Sequence, residues 1–92
     1  MDLLIDHTEL TLIYKFGFGA WTYHLRIPYS RQEKIRWGLH KVSGFIDDVE
    51  IKNINLAPRS DGDPIISINQ SIRKALNKTA NDKVVVTLYL HI

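Results

Sequence analysis

From residue 84 to residue 91 the chain alternates without a break. Val84, Val86, Leu88 and Leu90 take one side, and Val85, Thr87, Tyr89 and His91 the other. A period of two is the repeat of a β-strand with one buried face, and no helix can satisfy it. The same pattern recurs upstream. Over 9–16, Leu10, Leu12, Tyr14 and Phe16 share a face against Thr11, Ile13 and Lys15, until Gly17 and Gly19 break the run. Over 21–27, Trp21, Tyr23, Leu25 and Ile27 oppose Thr22, His24 and Arg26, and Pro28, with no amide to donate, ends the strand.

Three further strands follow. Residues 42–46 read as a strand interrupted by Gly44, where a bulky ring or another backbone is expected to approach. Asp47 and Asp48 make a hairpin turn into a strand that begins at Val49. There Val49 and Ile51 occupy odd positions, but Ile54 and Leu56 even ones. Such a parity flip predicts a β-bulge near Lys52 and Asn53, or a bend between sheets. The stretch 58–64, with two prolines, a glycine and two aspartates, reads as a surface turn, and 65–68 as a strand.

Two short helices complete the pattern. Ser30 and Glu33 form a capping box, with Ile35 inward and Gly38 placed to end the helix. Asn69 is a good N-cap for the second, whose buried stripe is expected to be Ile72, Ala75 and Leu76, with Asn77 tolerating a left-handed exit. Residues 21–51 and 64–92 thus share a strand, short helix, strand plan, with Ile27 and Ser30 matching Ile68 and Ser71. Six strands repeated in this way predict a mostly β fold: a six-stranded barrel with two short helices, closed around a pseudo-two-fold axis that hides its edges.

Ninety-two residues make one domain, 1–92. With no cysteine there is neither a disulfide framework nor a thiolate metal site, so folding rests on packing. Acidic residues flank the apolar start, Leu3, Leu4 and Ile5, which is not the pattern of a signal peptide. No apolar stretch approaches a membrane span. A cytoplasmic protein, monomeric or weakly self-associating, is the expectation.

The segments WTYHLRIP at 21–28, KVSGFI at 41–46, SIRKAL at 71–76 and NDKVVV at 81–86 together resemble the domain-of-unknown-function family nineteen-oh-five, over roughly residues 9–91. The resemblance implies a double-split β-barrel, the fold of the AbrB and MazE regulator and antitoxin group, built here from one chain. It implies no catalytic residues. Asn81 replaces a glycine usual in the family's last turn, and Asn69 a proline often found where the second helix begins. Asparagine tolerates left-handed backbone and caps helices, so both changes keep the geometry.

The chain lacks a recognisable catalytic constellation. His7, His24, His40 and His91 are widely spaced, and His24 and His91 fall opposite the apolar rows, where histidine is usually solvated. Asp61 and Asp63 lack the further ligands of a calcium loop. Asp47, Asp48 and Glu50 lie around a hairpin, where an exposed carboxylate keeps its ordinary pKa. Gly17 and Gly19 are followed by no lysine–serine pair, as a phosphate loop requires. Neither a metal nor a cofactor is expected.

The net charge of +2 is too small to imply nucleic acid, but its distribution is uneven. Residues 15–41 hold six basic residues against one acidic, and the second basic block covers 65–92. If Tyr29 and Trp37 are exposed beside Arg31, Arg36 and Lys41, they form an aromatic and cationic surface able to stack a ring and hold a phosphate; burial at a barrel mouth is the plainer alternative. With Arg73 and Lys74 of the second helix, these seven residues are the candidate contacts of a non-catalytic binding or interaction module. Its partner is an unidentified small molecule, anion or protein. A DNA-binding regulator of AbrB-like fold is the rival reading, and a hydrolase-like enzyme with an unfamiliar site ranks last.

Overall fold

The computed structural model describes residues 2–17, 19, 22–28, 40–59 and 62–91. Its strands are β1 (Asp2–Thr11), β2 (Ile13–Tyr14), β3 (Tyr23–Arg26), β4 (Lys41–Ile46), β5 (Val49–Asn55), β6 (Ala57–Arg59), β7 (Gly62–Ser67) and β8 (Lys83–Leu90), with one described helix, α1 (Gln70–Leu76). The expected helix beginning at Ser30 lies outside the described residues. So do Trp21 and the tip of the 58–64 turn, whose flanks are strand rather than loop.

These strands form two antiparallel four-stranded sheets, ordered β1-β8-β4-β5 and β2-β3-β7-β6. Closure into one barrel is therefore corrected: no ladder of described residues joins the two sheets. The two sheets are joined at two corners. β1 passes into β2 through Leu12, and β5 into β6 through Leu56, so each edge of the larger sheet continues as an edge of the smaller one. At both corners the backbone leaves the ladder and bonds a residue just before a neighbouring strand. The Leu12 amide donates to the Asp82 carbonyl, and the Leu56 amide to the His40 carbonyl, each at 2.9 Å. The first long strand begins at Asp2, well before residue 9, and ends before Phe16, which is 87% exposed.

Exchanging β1–β4 for β5–β8 reverses each sheet onto itself, so the repeat is larger than the strand–helix–strand unit read from sequence. Hydrogen bonds follow the same exchange. Ile27 donates to Pro64, and Ile68 to Tyr23; Asp47 donates to Val85, and His91 to Lys41. Ile27 and Ile68, matched in the sequence, occupy corresponding places and are both fully buried.

The core lies between the sheets. Val84, Val86, Leu88 and Leu90 of the central strand β8 point into it with Val42, Ile46, Leu25, Ile66, Leu12 and Leu56. The parity flip in β5 is the bulge it suggested. Val42 pairs with Ile54 but Gly44 with Ile51, leaving two residues opposite Ser43. Asn53 takes a left-handed φ of 54°, and its amide donates to the Ser43 hydroxyl at 2.9 Å. Gly44 meets backbone, as expected: a Cβ there would run into the Thr87 carbonyl of β8.

The Asn69 side chain caps α1 by accepting from the Ile72 amide at 2.9 Å, and Asn77 ends it with φ 55°. Asn81 is also left-handed, at φ 71°. One position differs: Ala75 is exposed, and the helix turns Ile72, Arg73 and Leu76 inward instead. With only seven residues, α1 has room for a narrow stripe.

Candidate anion-binding cleft

Strand pairing assembles a second face on the smaller sheet. Ile13 of β2 pairs with His24 of β3, and Arg26, two residues on, pairs with Ile65 of β7. Asp63 lies two residues before Ile65, Lys15 two after Ile13, and Arg59 two after Ala57, itself the partner of Ile65. By strand parity Ile13, His24, Arg26 and Ile65 face away from the core that holds Leu25, Ile27 and Ile66, while Arg59 and Asp63 reach the same face across a register shift between Ala57 and Arg59. There they line a cleft of about 150 Å³ formed by Ile13, Lys15, His24, Arg26, Arg59, Asp63 and Ile65.

His24 corrects the expectation of a solvated histidine, being only 5% exposed. It sits on an interior strand, beside the half-buried Ile13 and the buried Ile65, under a cover of long basic side chains whose stems shield what lies beneath. Gly62 helps to set this cover. Its absent side chain is where the Arg26 guanidinium packs, so a Cβ there would collide with Nη2. Lys15, His24 and Arg59 are engaged in interactions of their own. Among the described lining residues, His24 aside, three cations stand against one carboxylate. Such a lining can hold a small anion by charge-assisted hydrogen bonds, most effectively from the planar guanidinium groups.

The sequence-predicted contacts are only partly brought together. Tyr29, Arg31, Arg36 and Trp37 lie outside the described residues. Lys41 is exposed at the start of β4. Arg73 and Lys74 line a broad hollow of about 460 Å³ with Gln70, Asn77, Lys78, Thr79 and Asp82, a set that does not include Lys41. Much of the charge in this hollow serves the fold. Arg73 donates to the Ile68 carbonyl at 2.8 Å and stacks 3.8 Å over the Tyr23 ring. Lys78 donates to the Lys83 carbonyl at 2.6 Å and pairs with Asp47 at 2.8 Å.

That pair corrects the view of Asp47 as an unperturbed turn residue. Burial, the largest influence, disfavours its charge, but hydrogen bonds from Lys78 and the Val85 amide, with the Lys78 charge, outweigh it and lower the pKa below 3.8. His91 is also more than a solvated histidine: its ring meets the Ser43 hydroxyl at 2.7 Å in a half-buried setting.

Fold and cleft define a small antiparallel two-sheet β domain with a cation-lined hollow on one outer face. A family model described as a domain of unknown function, DUF1905, matches residues 11–88, and the chain belongs to that family. No curated protein and no solved structure matches it. The grouping of Lys15, His24, Arg26, Arg59 and Asp63 escaped the sequence reading because they come from β3, β6, β7 and the residue after β2, and form no local motif. The available signal was that β3 is apolar on one face and carries His24 and Arg26 on the other, a pairing that means little until β6 and β7 are placed beside it.

Proposed function

We propose that this domain is a non-catalytic binding module that takes a small anion into the cleft of the smaller sheet. The observation that carries the reading is the convergence of Lys15, Arg26 and Arg59 around the buried His24. The cleft, about 150 Å³, has room for a small polyatomic ion. Among the described residues, the lining offers charge rather than a hydroxyl or thiol nucleophile. Arg73 and Lys74 on α1, and separately the exposed Lys41, are secondary polar contacts in this reading.

The exchange of halves supports grouping the fold with the double-split arrangement of AbrB and MazE proteins. DNA binding would rest on that analogy alone, and shared fold is weak warrant for function.

The test is a titration with inorganic phosphate, followed by backbone amide and His24 ring resonances at fixed ionic strength. Saturable shifts confined to β2, β3, β6 and β7 are expected. Arg26→Ala should weaken binding about tenfold, the loss of ~1.4 kcal/mol of charge-assisted contact. Thermal stability should hardly change, because the Arg26 side chain is exposed. Shifts confined to α1, or tight and steeply salt-dependent binding of duplex DNA instead, would overturn the reading.

A further inference from the structure

Among the residues lining the cleft, Asp63 is the one that an anion site does not need. It is half-buried and shares the hollow with Arg26. Among the described residues, no hydrogen bond or ion pair engages the Asp63 carboxylate or the Arg26 guanidinium, whereas Lys15, His24 and Arg59 already have partners. The two uncommitted charged groups therefore have opposite demands. A guanidinium only donates hydrogen bonds, and an ionised carboxylate only accepts them.

We infer that the ligand is an oxyanion carrying its own hydroxyl, of which hydrogen phosphate is the simplest. This rests on the anion-binding reading of the same cleft. The acceptor oxygens of such a ligand meet Arg26 and its neighbours, while its O–H donates to Asp63. Sulfate has a similar size and charge but no proton near neutral pH. Its oxygens would face the carboxylate with nothing to donate, leaving two acceptors in contact. A site that expects a donor rejects an analogue lacking it, because the penalty is an unpaired polar group rather than one missing contact. Hydrogen phosphate and sulfate are both dianions, so net charge alone does not separate them. Asp63 does.

The experiment compares inorganic phosphate with sodium sulfate at pH 7 and constant ionic strength, using the cleft resonances of the whole chain. Wild type is expected to prefer phosphate by about tenfold or more, which is ~1.4 kcal/mol. Asp63→Asn keeps the shape and supplies an N–H₂ donor, so sulfate affinity should rise and the preference shrink or reverse. Equal affinity of wild type for the two ions overturns the inference, and that measurement needs no variant. So does an unchanged ratio in Asp63→Asn, with Asp63→Ser as a second variant of smaller volume. Binding of neither ion in the cleft is a different failure, which removes the anion reading beneath it.

Discussion

Gly44 marks the closest approach of β4 to β8. A methyl group there meets the Thr87 carbonyl, backbone that cannot swing aside, and φ of 156° disfavours any side chain. Gly44→Ala should therefore destabilise the domain by about 3 kcal/mol, read as a lower urea midpoint with little change in slope. Asp47 gives a prediction with a sign. Its pKa is lowered in the folded state, so its stabilisation is complete above 3.8 and is lost as pH falls through the folded value. Asp47→Asn should lower stability at pH 7 by about 1 kcal/mol, a charged hydrogen bond discounted for partial exposure. The difference from wild type should shrink by pH 2 to 3, as measured by urea unfolding at each pH. A variant that differs equally from wild type at both pH values would remove the Lys78–Asp47 account. Gly44 was legible as a close approach because glycine inside a strand signals one. The Asp47 environment was not, because Lys78 is far away in sequence and only the fold brings it to the hairpin.

At the scale of elements, short-range chemistry was the most readable part of the chain. The two asparagines that bound α1 act as their local preferences suggest, one as acceptor cap and the other as left-handed exit. Asn69→Ala should cost about 1 kcal/mol through the unpaired Ile72 amide, and Asn69→Ser should restore most of it. Equal stability of Asn69→Ala and wild type in thermal melts would show that tertiary contacts alone hold the helix. The bulge in β5 was also visible, because a parity flip needs an extra residue somewhere between Ile51 and Ile54. Legibility failed where burial depends on neighbouring strands. Ala75 lies on the face that helical spacing selects but is exposed, and His24 lies on the face that alternation assigns to water but is buried. A strand's own pattern says which residues share a side. It does not say whether Ile13 and Ile65 will flank that side.

Over the whole molecule, the matching corners make a sharper test than any single contact. Leu12 and Leu56 are 1% and 0% exposed, and each bends a long strand from one sheet into the other. Leu12→Ala and Leu56→Ala should each cost about 2–5 kcal/mol, with similar urea midpoints for the two variants. A large loss at one corner with almost none at the other would show that the halves share a topology but not an energetic role. The alternating runs and their turn residues sufficed to place a strand within each of the six expected runs, the bulge, the two caps of α1 and the equivalence of Ile27 and Ile68. Those features depend on backbone geometry and on neighbours a few residues apart. Whether the strands closed into one shell or divided at Leu12 and Leu56 depended on where the His40 and Asp82 carbonyls stood to receive two backbone amides. The meeting of Arg26, Arg59 and Asp63 around His24 likewise depended on strand order. Such contacts join residues tens of positions apart, and the free energy that selects them exists only once the sheets have packed.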